Sequence, residues 1–248
     1  MGAILGVNVQ ASSYELVTQK SLEWARQGES RTLLFSAVHM IMEAFDKPRF
    51  RDVLNGADMV NPDGMPVVWA LRALGNPRAQ RVYGPDATLA MLAAAEDAGL
   101  PVGFYGGSQE TLGGLLRAVR ARYPSLDVAF SLSPPFRALL PEEDEAITEQ
   151  IRDSGVRILF VGLGCPKQEI WVAEHRGRIP AVMFAVGAAF DFLAGSKPQA
   201  PRWMMQSGLE WVFRLVCEPR RLAMRYFKHN PRFLAFVFSQ WLRTRFAA

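Results

Sequence analysis

Val156-Arg157-Ile158-Leu159-Phe160-Val161-Gly162-Leu163-Gly164-Cys165-Pro166-Lys167-Gln168-Glu169-Ile170-Trp171-Val172-Ala173-Glu174-His175 is the stretch that decides the fold. Ile158 to Val161 is a short continuous apolar run, preceded by the turn pair Ser154-Gly155 and ended by Gly162. A strand buried on both faces of a parallel sheet has this texture. Gly162 and Gly164 let the backbone turn sharply and come close to a ligand with no Cβ in the way. Pro166 suits the first turn of a helix, where its missing N–H costs nothing. Lys167, Gln168 and Glu169 would follow in that turn, beside N–H groups that carry partial positive charge. The stretch is therefore either a strand–loop–helix that holds the diphosphate of a nucleotide donor or an ordinary βα turn. Gly-x-Gly alone is not the full dinucleotide fingerprint.

The 248 residues are half hydrophobic, enough for one large α/β domain or a domain with an appendage. Cys165 and Cys217 fit no metal spacing and read as free thiols of a reducing compartment. Neither a signal peptide nor an apolar run of membrane-spanning length is expected. The net charge of +4 hides an asymmetry. Residues 1–200 carry 19 basic and 22 acidic side chains, whereas residues 201–248 carry 9 and 2, together with ten aromatics. A basic, aromatic tail on a near-neutral body implies an anionic partner: a membrane surface, nucleic acid or a phosphorylated substrate.

Outward from the opening stretch, strands are expected at Leu5–Val9, 31–37, 102–105, 128–132 and 181–186, with a strand end at Met59-Val60. Helices are expected at 14–27, 38–45, 65–74, 87–98, 109–123 and 141–154. This alternation indicates a doubly wound, Rossmann-like, mostly parallel sheet, whose ligands sit beyond the carboxyl ends of the strands. We divide the chain into a catalytic α/β domain, 1–200, and a helical, basic, aromatic appendage, 201–248. Pro219 separates or kinks two helices there.

Several strand ends carry polar turn residues. Asn61-Pro62-Asp63-Gly64 is either a loop held by an Asx turn or a mount for Asp63 as general base. An accessible Asp, with a pKa of about 4, is ionised at neutral pH and could take the proton of an attacking sugar hydroxyl. Arg81 is either a surface arginine or a guanidinium for a donor phosphate. Asp86 reads best as an N-cap. His39 is either pocket lining or structural. Gly187 and Asp191 belong to a further strand–turn, where Asp191 either touches ribose or sugar hydroxyls or caps the turn. No Asp-x-Asp follows an apolar strand, no His/Cys cluster suggests zinc, and no phosphate-binding loop of the nucleotide-triphosphate type is present. Arginines, lysine and helix dipoles would then have to offset the charge of a departing diphosphate.

Taken together, the chain resembles the WecG/TagA/CpsF family of bacterial glycosyltransferases over nearly its whole length. The resemblance rests on 61–69 (Asn-Pro-Asp-Gly-Met-Pro-Val-Val-Trp), 81–86 (Arg-Val-Tyr-Gly-Pro-Asp), 104–107 (Phe-Tyr-Gly-Gly) and 161–169 (Val-Gly-Leu-Gly-Cys-Pro-Lys-Gln-Glu). It continues through 186–192 (Val-Gly-Ala-Ala-Phe-Asp-Phe), 200–203 (Ala-Pro-Arg-Trp), and 210–215 with 218–222 (Glu-Trp-Val-Phe-Arg-Leu, Glu-Pro-Arg-Arg-Leu). Each stretch is weak alone; seven in order are specific.

The resemblance implies an inverting, metal-independent transfer of a hexosyl or N-acetylhexosaminyl group from a UDP-sugar, with no cofactor. The implied acceptor is a saccharide on a polyprenyl diphosphate at the inner face of the bacterial plasma membrane, in the assembly of exopolysaccharide, teichoic acid or enterobacterial antigen. It implies Asp63 as the catalytic aspartate and Arg214, Arg221 and Arg225 as arginines that the tail brings to the site. Substrate binding falls to His39, Asn61, Arg81, Gly84, Gly106, Gly107, Gly162, Gly164, Pro166, Lys167, Gln168, Glu169, Gly187, Phe190 and Asp191. The tail would dock on an anionic membrane surface, with self-association open and no nucleic acid as partner. One departure is visible: many members carry Thr-x-Asn where this chain has Phe35-Ser36-Ala37, so the contact of that asparagine passes to Ser36 or His39. The rival is a non-catalytic nucleotide- or nucleic-acid-binding protein that uses its basic tail on phosphates; a dinucleotide-dependent oxidoreductase lacks its fingerprint.

Overall fold

The computed structural model describes residues 2–246. In chain order its elements are β1 (Gly2–Ile4), β2 (Val7–Val9), α1 (Tyr14–Gln27), β3 (Arg31–Ser36), α2 (Val38–Asp46), α3 (Pro48–Asn55), β4 (Met59–Pro62), α4 (Met65–Ala73), α5 (Gly84–Ala98) and β5 (Val102–Gly106). They continue with α6 (Gln109–Arg122), β6 (Val128–Leu132), α7 (Pro141–Asp153), β7 (Ile158–Gly162), α8 (Lys167–Glu174), β8 (Val182–Ala185), α9 (Ala189–Leu193), α10 (Arg202–Gln206), α11 (Glu210–Cys217) and α12 (Pro219–Phe246). Six strands form one sheet in the order β4-β3-β8-β7-β5-β6, flanked by helices, so the fold is the expected α/β, Rossmann-like one. Two compact units emerge, one of residues 2–13, 35–83 and 199–246, the other of 14–34 and 84–198.

In the second unit the pairings β3–β8, β8–β7, β7–β5 and β5–β6 are all parallel. Ile158, Leu159, Phe160 and Val161 are 0% exposed, as the apolar run requires. Phe104, Phe160 and Phe184 run across the strands as a ring ladder, with centroids 5.5 and 5.3 Å apart. Phe190 of α9 meets Phe104 edge-on at 5.9 Å. Each such buried ring removes enough apolar area from water to be worth roughly 2–3 kcal/mol.

In the first unit the chain opens differently from the expected strand Leu5–Val9. Leu5 and Gly6 take positive φ and turn the chain between β1 and β2, which pair antiparallel as a hairpin. α3 is a helix that the reading above lacked; Pro48 stands at its start, where a missing N–H is harmless. Several boundaries move by a residue or more, two of them next to candidate residues. β3 ends at Ser36 because Ala37 is the extended N-cap of α2. Asp86 is not an N-cap but lies within the first turn of α5, because that helix already begins at Gly84-Pro85. Pro219 does separate two helices, α11 and α12, whereas Pro231 sits inside α12 without ending it.

A proline there removes a backbone hydrogen bond and costs about 3 kcal/mol, so tertiary contacts hold α12 together. The helix lies along α2. Arg232 grips Asp46 with two hydrogen bonds of 2.9 and 2.6 Å, Phe236 packs on Phe45 at 4.9 Å, and Leu222 and Phe233 are buried. The opposite face leaves Met224, Phe227, Leu234, Phe238 and Phe246 exposed. Among the described residues no helix is long and apolar enough to cross a membrane.

Candidate active site

A cavity of about 120 Å³ in the first unit gathers most of the titratable candidates. Asp63 reaches it because β4 ends at Pro62 and the Asp63 N–H donates to the carbonyl of Ser36 at 3.0 Å, which ties the turn to the end of β3. Gly64, extended, then starts α4. The neighbouring turn is fixed by the Val82 N–H on the Pro62 carbonyl at 2.8 Å, and this brings Arg81 over Asp63.

Arg81 is the hub. Its Nε donates to the Asp63 carbonyl, and its Nη2 lies 3.3 Å from Asp63 Oδ1 and 2.5 Å from Glu210 Oε2. Its guanidinium sits 4.2 Å above the Tyr83 ring. Burial works against the Arg81 charge, but Asp63 and Glu210 outweigh it and hold the guanidinium firmly protonated. The same burial, with the Glu210 charge, pushes the Tyr83 hydroxyl far up. Arg81 is thus engaged by two carboxylates and orients Asp63, rather than standing out as a lone phosphate ligand.

His39, the second residue of α2, lines the same cavity, as do Arg214 and Arg225. Burial, then the charges of Arg225 and Arg214, hold its imidazole down at about 3, so it is neutral at pH 7. The two residues beside the departure from Thr-x-Asn are placed differently. Ala37 and His39 line the cavity, whereas Ser36 is fully buried and its Oγ has no hydrogen-bond partner. Arg221 lines none of it; its guanidinium is paired with Glu218 at 2.7 Å. Asn61 is also withdrawn: it is 0% exposed and accepts from Ser12 Oγ at 2.7 Å, bracing the strand end.

Glu210 went unread in the sequence, together with Tyr83, Trp211, Tyr226 and Asn230 of the same wall. A signal existed for Glu210: it is one of only two acids in residues 201–248, inside a stretch that carries the family resemblance.

The second unit holds the remaining candidates. Gly107, Gly162 and Lys167 border a cavity of about 480 Å³, whose wall otherwise includes Phe136, Leu163 and Trp171. The buried Trp171 Nε1 has no hydrogen-bond partner. Two glycines here serve packing. A Cβ on Gly106 would stand 2.6 Å from the Gly162 carbonyl carbon, and one on Gly162 would stand 2.7 Å from the Phe190 ring. Gly164, at φ +80°, has nothing within 4 Å of a built Cβ and faces open space. Pro166 is the cap residue of α8. Of the next three residues only Lys167 is exposed; Gln168 and Glu169 are buried.

Burial pushes the Glu169 carboxyl up to about 7, partly opposed by hydrogen bonds from Gln168 and Cys165. Gly187 turns above the Gln168 carboxamide. Phe190 belongs to the core, and Asp191 pairs with Lys197 at 2.8 Å. Gly84 is buried at the start of α5, where its carbonyl accepts from Thr88 Oγ1. Among the described residues no group of three or more His, Cys, Asp or Glu side chains is placed to hold a metal ion.

The chain is 29% identical over 180 residues to a Bacillus spizizenii protein, N-acetylglucosaminyldiphosphoundecaprenol N-acetyl-beta-D-mannosaminyltransferase, an overlap covering 72% of this chain and 68% of that one. The sequence profile of the glycosyl transferase WecG/TagA/CpsF family matches residues 3–247, and this chain, with the carboxylate–arginine cavity at Asp63 and the glycine turns of its sheet, belongs to that family.

Proposed function

We propose that this glycosyltransferase moves a sugar from a UDP-sugar to a saccharide carried on a polyprenyl diphosphate, with inversion and without a metal ion. The observation that carries the reading is one cavity holding an oriented carboxylate, Asp63, with the cationic side chains Arg81, Arg214 and Arg225. The acceptor hydroxyl loses its proton to Asp63 as its oxygen bonds to the anomeric carbon. The bond from that carbon to the diphosphate oxygen breaks on the opposite face, and its electron pair leaves with UDP. A positioned base of this kind contributes about 10²–10⁴-fold. Arg81 holds Asp63 in place against Glu210, and Arg214 and Arg225 absorb the charge of the leaving diphosphate. Neutral His39 offers a hydrogen bond without adding positive charge beside the arginines. Nucleotide binding is assigned to the second unit, to Lys167 and the Gly162–Glu169 turn.

The lipid-linked acceptor suits the relative's printed activity. It also suits the exposed apolar residues of α12, which stand among Arg220, Lys228, Arg243 and Arg245, a combination that favours an anionic membrane surface. The division into a body, 1–200, and an appendage, 201–248, is kept as a division of roles. The test is a screen of UDP-sugars against an undecaprenyl-diphosphate-linked N-acetylglucosamine acceptor in the presence of EDTA. Products are read by mass spectrometry and the anomeric configuration by NMR. A transferred sugar of inverted configuration is expected. No transfer from any UDP-sugar, a retained configuration, or activity that EDTA abolishes would each overturn its part of the reading.

A further inference from the structure

Glu169 is 0% exposed, so no ligand on the protein surface can touch it. Its Oε1 accepts from Gln168 Nε2 at 2.8 Å, Cys165 also hydrogen-bonds the carboxyl, and Oε2 is buried with no hydrogen-bond partner. The other end of the Gln168 carboxamide, Oε1, accepts from the Gly164 N–H at 3.0 Å. The Gln168 N–H in turn donates to the Gly164 carbonyl, also at 3.0 Å. Gly164 and Gln168 are thus locked by a reciprocal pair of hydrogen bonds across the start of α8. The lock works in one sense only. A carboxamide has a donor end and an acceptor end, and the Gly164 N–H needs the acceptor. What holds the donor end away from Gly164 is the Glu169 oxygen. Gly164 itself faces open space, so no side chain packs where its own would stand. The same carboxamide lies 3.0 Å from where a Cβ on Gly187 would stand, so it underlies the turns at Gly164 and Gly187 alike.

We propose that Glu169 is a positioning residue: by fixing the sense of the Gln168 carboxamide it sets the Gly162–Glu169 turn in its nucleotide-binding shape, a role that rests on the assignment of that turn to the donor. Two measurements on the full chain test it: hydrogen exchange at the Gly164 amide and UDP affinity by calorimetry. Glu169→Ala should speed Gly164 exchange at least tenfold and weaken UDP at least tenfold. Glu169→Gln, whose carbonyl oxygen still accepts from Gln168, should keep both within threefold. In a Gln168→Met background, Glu169→Ala should add nothing, because residues acting through one another are not additive. Unchanged Gly164 exchange in Glu169→Ala, or additive effects in the double variant, would overturn the proposal. If Glu169→Ala does not fold, Gln168→Met alone decides: Gly164 protection that survives it overturns the lock. Should the wild-type chain bind no UDP, the donor assignment falls, while the exchange measurement still decides what Glu169 does.

Discussion

The cavity at Asp63 and the cavity beside Lys167 differ in size and in how their charges are arranged. The first is small, about 120 Å³, and its wall is a charge network in which Arg81 is shared by Asp63 and Glu210. The second is about 480 Å³, and its wall mixes Phe136, Leu163 and Trp171 with Arg137, Asp144, Lys167 and Glu174. Yet each unit holds a titratable group that burial drives to its neutral form, His39 down to about 3 and Glu169 up to about 7. The chemistry of the two differs because their neighbours differ. His39 sits among arginines that reinforce the effect of burial, whereas Glu169 is held by Gln168 and Cys165 hydrogen bonds that oppose it. A shared physical cause therefore leaves one group as an uncharged hydrogen-bonding wall and the other as a poised carboxyl under a loop.

The largest effect that would break this contrast is at Asp63. Asp63→Asn keeps the shape of the side chain and removes its basicity. Turnover should fall at least 100-fold, within the range for a positioned base, while UDP affinity stays within threefold. Near-normal turnover in a steady-state transfer assay would strip the first cavity of its chemistry.

The next is a paired substitution in the second unit. Gly162→Ala forces a Cβ against the Phe190 ring, and overpacking of this kind costs about 1–3 kcal/mol. Gly164→Ala meets no atom and suffers only the strain of its positive φ, about 1 kcal/mol. Urea midpoints should rank Gly162→Ala as the less stable. In UDP binding the order should reverse, because Gly164, not Gly162, faces the open side of the turn.

This pair also marks how far the sequence can be read. Ile158 to Val161 announces a buried strand because the signal is local, four apolar residues between turn formers. Gly162 is equally visible as a glycine, but its reason is a ring 28 positions further on, which no window across the turn contains. The Arg81–Glu210 contact spans 129 positions and is invisible for the same cause. The hairpin at Leu5-Gly6 hides because a non-glycine residue at positive φ carries no compositional mark. α3 could have been read: Pro48, a residue that favours a helix's first position, follows Asp46-Lys47. At the site, Asp63 and the glycine turns were legible as types. Which of them face a cavity was not, because side-chain direction is set by partners such as Ser12 for Asn61 and Lys197 for Asp191.

The two neutral groups should also separate in stability against pH. The His39 value lies below its ordinary 6.5, so its contribution is full above that pH and is lost as pH falls. Between pH 7 and 5 the loss is about 2 kcal/mol, and His39→Gln should not show it. Glu169 lies above its ordinary 4.5, so its contribution is full below that pH and is lost as pH rises through about 7. Between pH 5 and 8 that loss is likewise about 2 kcal/mol, absent in Glu169→Gln. Difference curves of urea midpoint against pH, variant minus wild type, should slope in opposite directions. Parallel curves would mean that burial does not control both groups.

The smallest difference lies within the first unit, between Arg225 and Arg221. The two stand four residues apart on α12, so on a helix they share a face, and sequence alone gives no reason to rank them. Arg225 lines the cavity, whereas Arg221 is exposed and held by Glu218. A charge at a half-buried cavity wall is screened less than a fully exposed one. Arg225→Ala should therefore lower turnover about tenfold, and Arg221→Ala less than threefold, in the same transfer assay at fixed ionic strength. Raising salt should narrow the effect of Arg221→Ala further and leave that of Arg225→Ala nearly as it was. An Arg221→Ala loss as large as that of Arg225→Ala would mean that α12 turns Arg221 away from Glu218 and toward the diphosphate during catalysis, and the arginine set would then include all three.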